Sequence, residues 1–149
     1  MIYDPIRKKF VLDTPEELVR QKLLSNMLGF LGFPKGLVAV EKELSKANRR
    51  RFDIIVFRKN KDQMIPLLLI ECKAKLQNLE DAFRQVKGYN ETFQAPFISI
   101  ADGQMVHTYW IYENTLRFVP FLPSYAQLLQ IGIRPLSKLG SVDFQVLLS

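Results

Sequence analysis

Two neighbouring apolar runs, residues 52–57 and 65–70, constrain the fold more than any other part of the sequence. They are rich in Ile, Val, Leu and Phe, and the polar segment 58–64 between them has hairpin character. Because apolar residues occupy both faces of each run, we expect central strands that are covered on both sides. The two runs therefore predict the middle of a sheet with structure packed above and below it.

The rest of the pattern predicts helices and further strands around this pair. Thr14 and Glu17 form a capping box with Pro15 at the first helical position, so a helix should begin there and end within residues 29–34. Its apolar stripe is expected at Leu18, residue 23 or 24, and residues 27, 28 and 31. A second helix is expected over residues 78–93, with Gly88 inside it where another group approaches the backbone closely. Strands are expected at 7–12, 37–44, 97–101, 105–112 and 116–119, followed by a short helix at 124–131 and a terminal strand at 142–148. This order predicts an α/β fold in which helices flank a mixed central β-sheet.

The composition excludes several functional classes. One cysteine and one histidine, Cys72 and His107, are too few for a disulfide framework or a structural zinc site. The sequence contains no phosphate-cradling nucleotide motif, no apolar leader and no run long enough to span a membrane, so we expect a cytoplasmic protein with no membrane partner. The net charge of +6 favours a polyanionic partner.

The residues best suited to chemistry lie on the two central strands. Side chains alternate along a strand, so Glu71 and Lys73 should project from one face and Cys72 from the other, into the core. If Asp53 on the neighbouring strand lies beside Glu71, two carboxylates and the backbone carbonyl of Cys72 can hold a divalent cation. Lys73 could then orient or deprotonate a water that attacks a phosphodiester.

These residues together resemble a known group of nucleases. The pattern resembles the PD-(D/E)xK nuclease superfamily, and more narrowly the N-terminal nuclease domain of type I restriction enzyme R subunits and its small stand-alone relatives. The resemblance covers residues 7–120 of a single domain that spans 1–149, and it leaves 121–149 as a C-terminal extension. Phe52 stands where the superfamily name has proline. The residues that carry the resemblance are Pro15-Glu16-Glu17-x-x-Arg20, Arg51-Phe52-Asp53, Glu71-Cys72-Lys73 and Gln85-x-x-x-Tyr89.

The resemblance implies a restriction-endonuclease-like fold and a role for each matched residue. Asp53 and Glu71 would bind Mg²⁺ or Mn²⁺, and Lys73 would be the catalytic lysine. Glu17, or with less support Glu16, would be the helix glutamate that completes the site. The alternative for Glu17 is a purely capping role.

Two further groups of residues are expected to engage the nucleic acid. Gln85 and Tyr89 would contact DNA or support the site; the alternatives are a core aromatic for Tyr89, which its place on the apolar stripe favours, and a solvated position for Gln85. Basic residues beside the two strands could bind phosphates, or could simply form solvated turns. These basic residues are Arg49, Arg50, Arg51 and Lys75.

The sequence therefore predicts a Mg²⁺-dependent endonuclease that hydrolyses DNA phosphodiesters in restriction, defence or DNA processing. Expected partners are DNA, a second copy in a homodimer, and separate motor or specificity subunits, because 149 residues are too few for a translocating motor. One alternative is a non-catalytic DNA-binding or complex-assembly module that retains the nuclease fold. Another is a structural protein with a chance E-x-K, in which the Asp53 and Glu71 carboxylates would lie more than about 8 Å apart, too far to share an ion.

Overall fold

A six-stranded mixed sheet forms the centre of the protein in the computed structural model, which describes residues 1–43, 51–112 and 115–132. The strands follow chain order across the sheet, and only β5 and β6 are parallel. They are β3 (Val38–Glu43), β4 (Arg51–Asn60), β5 (Gln63–Cys72), β6 (Phe97–Ala101), β7 (Val106–Tyr112) and β8 (Thr115–Val119). A separate antiparallel hairpin pairs β1 (Ile2–Asp4) with β2 (Lys9–Val11).

Within the part of the chain that the structure describes, three α-helices cover the two faces of this sheet. The helices are α1 (Pro15–Gly29), α2 (Leu79–Phe93) and α3 (Tyr125–Gly132). On one face, α1 and α3 pack against a core that includes Ile54 and Ile70; on the other, α2 packs against Ile55 and Leu69. The crossover through α2 also joins the parallel strands β5 and β6, as parallel pairing requires. The predicted fold class, a mixed sheet flanked by helices with both faces of the central strands buried, is confirmed.

The hairpin of β4 and β5 sets the position of the candidate site residues. Both strands run further into the polar segment than predicted and leave only a two-residue turn, in which Lys61 has φ 56°. At the other end of the hairpin, the last paired residues are Ile54 and Ile70. Continuing this register by one residue places Asp53 opposite Glu71, so the pairing of two apolar strands brings two acidic residues together.

Helix α1 begins where the sequence predicts. The Glu17 N–H donates to Thr14 Oγ1 at 3.2 Å, and Pro15 occupies the first turn. Leu18, however, is 51% exposed, so its predicted place in the apolar stripe is wrong. The inward face of the first turns is instead occupied by Glu17 and Arg20, which are buried. Two buried charged residues therefore set the rotation of the helix near its start.

Helix α2 is confirmed over almost the predicted span. Val86 is fully buried on the apolar stripe, and the Asp81 N–H donates to the N-cap residue Asn78 at 3.1 Å. The expectation that a group approaches the backbone at Gly88 is wrong, since a Cβ there would meet no atom within 4 Å. Gln94, with φ 53°, ends the helix in the left-handed conformation.

The remaining predicted elements have different outcomes. The short helix at 124–131 is observed as α3, whereas the terminal strand at 142–148 lies outside the part of the chain that the structure describes. The strand predicted at 7–12 is shorter and forms β2 of the N-terminal hairpin. Within the described ranges, no helix is long and apolar enough to cross a membrane.

Candidate metal centre

Three carboxylates meet at one end of the central hairpin. Asp53 comes from the start of β4, Glu71 from the end of β5 and Glu16 from the first turn of α1, and one oxygen from each lies within 4.8 Å of the others. Oxygen ligands of one divalent cation each lie about 2.0 to 2.6 Å from it, so they are separated by at most about twice that distance. Three hard oxygen donors at this spacing fit a divalent cation such as Mg²⁺. The close approach also contradicts the purely structural alternative, which required Asp53 and Glu71 to be far apart.

The third carboxylate is Glu16, which the sequence interpretation ranked below Glu17. The structure corrects that order, because the Glu17 side chain points into a different set of contacts. Glu17 is buried and accepts hydrogen bonds from Arg7, Arg20 and Gln21. These donors hold the pKa of Glu17 below its ordinary value in spite of burial, which acts in the opposite direction. Glu17 is therefore a stably ionised partner of arginines, while Glu16 joins the carboxylate cluster.

Both oxygens of Asp53 are already oriented by donors. The Cys72 N–H donates to Oδ2 at 2.7 Å, and Arg20 Nη1 donates to Oδ1 at 3.2 Å. Burial raises the pKa of Asp53, whereas the Cys72 N–H and the Arg20 charge oppose that rise. These contacts favour the ionised form that a cation requires.

Glu71 and Lys73 form the second half of the site. Burial, followed by the negative charge of Asp53, raises the pKa of Glu71 to about 7, and the Lys73 charge opposes this rise. Lys73 Nζ lies 3.5 Å from Glu71 Oε1, and its backbone N–H donates to the Ala101 carbonyl at 2.8 Å. The Cys72 side chain is fully buried in the core beneath α1 and burial raises the pKa of its thiol, so its predicted core position is confirmed.

A cleft of about 620 Å³ extends from Lys73 towards α2. Gln85 and Lys75 line this cleft together with Lys73, so the predicted helix glutamine and two predicted basic residues share one surface with the site. Tyr89 is half-buried and packs edge-on against Phe52 with ring centroids 6.1 Å apart, which places it behind the residue preceding Asp53. Gln85 is thus accessible to a ligand, and Tyr89 supports the strand that carries the site.

The other predicted phosphate-binding residues have no described side-chain positions. Arg49 and Arg50 lie outside the described residues, and Arg51 is the first residue of β4. Its backbone therefore lies two positions before Asp53, close to the end of the sheet where the carboxylates meet.

The sequence pattern predicts no role for Arg20, Asp4 or Arg7, which the structure brings together with Glu17 and Asp53. Arg20 bridges Glu17 and Asp53, and Arg7 bridges Asp4 and Glu17. The three-residue spacing of Glu17 and Arg20 on a helix is a signal that could have identified their pairing. The contact between Arg7 and Glu17 has no comparable local signal, because it depends on how the N-terminal hairpin folds onto α1.

Comparisons with known proteins agree with this architecture. Residues 15–123 match the family described as Type I restriction enzyme R protein N terminus (HSDR_N), whereas the comparison with curated proteins gave no match. Among solved structures, the chain is similar to a fragment described as part of an HsdR subunit of a type I restriction enzyme from Vibrio vulnificus YJ016. That similarity has a TM-score of 0.52 and 11% identity, so it concerns the fold alone; it covers 78% of this chain but only 24% of the Vibrio chain. Since the family match includes most of the sequence and every candidate site residue from Glu16 to Tyr89, the chain belongs to the type I restriction enzyme R protein N-terminal family.

Proposed function

We propose that the protein is a Mg²⁺-dependent nuclease domain that hydrolyses DNA phosphodiester bonds with a site of the PD-(D/E)xK type. The observation that carries this proposal is the convergence of Glu16, Asp53 and Glu71 within 4.8 Å, with Lys73 Nζ 3.5 Å from Glu71. Carboxylates and an amine in this arrangement are suited to holding a hard cation and orienting a nucleophilic water. Mn²⁺, which also accepts oxygen ligands, would be expected to replace Mg²⁺.

Each residue has a distinct part in this mechanism. Asp53, Glu71 and Glu16 would hold the cation, and the Cys72 carbonyl is a further candidate ligand. The bound cation would stabilise the negative charge that develops on the phosphate as the bond breaks. The Lys73 amine would orient the attacking water and add positive charge beside the phosphate. The Cys72 N–H and Arg20 would keep the Asp53 carboxylate oriented during this step.

The cleft beside Lys73 is the proposed path of the DNA strand. Lys75 and Arg84 add positive charge to its lining, and Asp81 is its acidic member. Lysine and arginine side chains bind phosphates without regard to sequence, and the net charge of +6 acts in the same direction. Gln85 would contact the strand within the cleft. Arg51 and the two arginines before it in the sequence are proposed to add further phosphate contacts.

Family membership leads to a proposal about partners. We propose that the domain acts in restriction together with motor and specificity subunits, and that two copies act as a pair when both strands of a duplex are cut. The non-catalytic alternative, a DNA-binding or assembly module, differs from this proposal in one measurable property. Such a module would bind DNA with an affinity that falls with salt, but would not hydrolyse it.

A cleavage assay with matched variants tests the proposal. Purified protein is incubated with plasmid and linear DNA in Mg²⁺, in Mn²⁺ and in chelator, beside Glu71→Ala and Lys73→Ala. Lys59→Ala is the control, because Lys59 is exposed near the opposite end of the hairpin from the site. We expect metal-dependent cleavage by the wild type and by the control, and a loss of roughly 100-fold or more in the two site variants. Equal cleavage by the wild type and both site variants, or salt-dependent binding without any metal-dependent cleavage, would contradict the proposed catalysis.

A further inference from the structure

A chain of alternating charges, buried at Asp4, Glu17 and Arg20 and partly buried at Arg7 and Asp53, connects the N-terminal hairpin to the carboxylate cluster. Its members are Asp4, Arg7, Glu17, Arg20 and Asp53, in that order, each bonded to the next. We propose that this chain positions the Asp53 carboxylate, so that the affinity of the site for its cation depends on arginines that do not touch the cation. The part of the inference that concerns the cation rests on the proposed function.

The first link fixes Arg7 against the turn of the hairpin. Asp4 is fully buried, and its Oδ1 accepts hydrogen bonds from the backbone N–H groups of Ile6 at 2.8 Å and Arg7 at 2.9 Å. Its Oδ2 accepts from Arg7 Nε at 2.7 Å and from Gln21 Nε2 at 2.9 Å. A carboxylate with this many donors is held in one orientation, so the Arg7 guanidinium is held as well.

The middle link is Glu17, which joins two arginines. Its Oε1 accepts from Nη2 of Arg7 and, at 3.2 Å, from Nη2 of Arg20, while its Oε2 accepts from Arg20 Nε at 2.8 Å. Arg20 therefore binds Glu17 with two parallel donors, the bidentate geometry that a planar guanidinium forms with a carboxylate. This pairing fixes the plane of the Arg20 guanidinium and directs Nη1 away from Glu17.

The last link reaches Asp53. Arg20 Nη1 donates to Asp53 Oδ1 at 3.2 Å, and the Cys72 N–H donates to Oδ2 from the opposite strand at 2.7 Å. Two donors on different oxygens restrict rotation of the carboxylate about its Cβ–Cγ bond. Arg20 is the donor that comes from outside the sheet, and its own orientation is set by Glu17 and, through Glu17, by Arg7.

Orientation of Asp53 and the electrostatic field of these charged residues predict opposite changes in cation affinity when an arginine is replaced. Asp4 and Glu17 are balanced by Arg7 and Arg20, so the chain up to Asp53 is neutral overall. Removing one arginine would leave an excess of negative charge, and Coulomb attraction alone would then strengthen cation binding. Loss of positioning would instead weaken it. Whether the affinity for the cation rises or falls when an arginine is replaced therefore distinguishes the Coulomb effect from the loss of positioning.

Charge-conserving variants make the sharpest test. Lysine keeps the positive charge of arginine but cannot form the planar two-donor contact. We expect Arg20→Lys to raise the dissociation constant for Mg²⁺ roughly tenfold or more, as is typical when a residue that orients a metal ligand is changed. Arg7→Lys, one link further away, should raise it by a smaller factor of about threefold. Arg58→Lys is the control, because Arg58 lies on the same strand as Asp53 but at its far end, and it should leave the constant unchanged.

Titration calorimetry on the folded proteins gives the dissociation constants, and thermal unfolding without metal gives stability separately. A purely structural role predicts lower melting temperatures in the lysine variants with unchanged Mg²⁺ affinity, and this result would overturn the proposal. An Arg20→Gln variant that binds Mg²⁺ more tightly than the wild type would overturn it as well, since that is the purely electrostatic outcome.

If the wild type binds no Mg²⁺, the proposed function is wrong. A second experiment on the metal-free protein then tests whether the charged residues position Asp53. Arg7→Lys is then combined with Asp53→Asn, and the shifts in melting temperature are compared with those of the single variants. Non-additive shifts in melting temperature would support an energetic coupling between Arg7 and Asp53 through the charged residues, because Glu17 and Arg20 separate these two side chains. Additive shifts, like those expected for Arg58→Lys with Asp53→Asn, would overturn it.

Discussion

Replacing Glu71 by glutamine should stabilise the metal-free protein, and by more at alkaline than at acidic pH. The pKa of Glu71 is raised from its ordinary value of 4.5 to about 7, chiefly by burial and then by Asp53. The folded state therefore binds this proton more tightly than the unfolded state does. For a carboxyl whose pKa is raised on folding, stability is lost as the pH rises from 4.5 through 7, and the loss is complete above the folded pKa. Glutamine resembles the protonated acid and avoids this loss at every pH.

The pKa change sets the size of the effect. The cost of ionising Glu71 in the folded protein is about 1 kcal/mol at pH 5 and about 3 kcal/mol at pH 8. The attraction of Lys73 is already included, since it opposes the rise in the pKa. We therefore expect the free energy of unfolding of Glu71→Gln to be higher than that of the wild type by about 3 kcal/mol at pH 8. At pH 5 the advantage should be only about 1 kcal/mol.

Urea unfolding of the metal-free wild type and of Glu71→Gln, at pH 5 and pH 8 in chelator, measures this difference. Glu91→Gln is the control, because Glu91 is exposed on α2 and its replacement should change stability little at either pH. Millimolar Mg²⁺ at pH 8 should stabilise the wild type in preference to the glutamine variant, which lacks the anionic ligand. A Glu71→Gln protein that is less stable than the wild type at pH 8, or a difference that does not change with pH, would refute the reasoning.

Two further predictions concern the stability of α2 and the segments it joins. Asn90→Ala should lower the free energy of unfolding by about 2 to 4 kcal/mol, because the buried Asn90 side chain donates to the Ala95 carbonyl at 2.8 Å and accepts from its N–H at 2.9 Å. Chemical denaturation at neutral pH measures this loss; Asn90→Asp should lose at least as much as Asn90→Ala, because a buried carboxylate would face the Ala95 carbonyl oxygen, and wild-type stability in either variant would contradict the assignment. Gly88→Ala should raise stability by about 0.5 to 1 kcal/mol, since the new Cβ meets nothing and glycine is unfavourable within a helix. Gly132→Ala is the contrast in the same thermal unfolding experiment, because its Cβ would lie 3.1 Å from Cε2 of Phe97; an equal gain at both positions would contradict the argument.

The fold could be predicted from the sequence where a strand is buried on both faces, because such a strand has a continuous apolar sequence. Residues 52–57 and 65–70 became β4 and β5 because such runs are stable only between two covering layers. The exact strand ends were less predictable, since the polar residues of segment 58–64 pair across a two-residue turn that the hydrophobic pattern does not reveal. The prediction that another group approaches the backbone at Gly88 was wrong for a related reason. A helical glycine shows that a side chain is absent, but it does not show that a neighbour fills the space.

The placement of Glu16 and Glu17 shows why the candidate site was only partly predictable. The two strands of a hairpin were expected to bring Asp53 and Glu71 together, but the register that places them opposite each other depends on the irregularity between Val56 and Phe57, which the hydrophobic pattern does not reveal. Neighbouring residues on a helix differ by about 100° in direction, and both Glu16 and Glu17 satisfy the same local pattern. The choice depends on the rotation of α1, and non-local contacts set that rotation: Glu17 turns inward because Arg7 comes from a hairpin ten residues earlier and Arg20 reaches across to Asp53. That rotation leaves Glu16 exposed on the side that faces Asp53 and Glu71, so the ion pairs of the first helical turn determine which carboxylate is available to a cation.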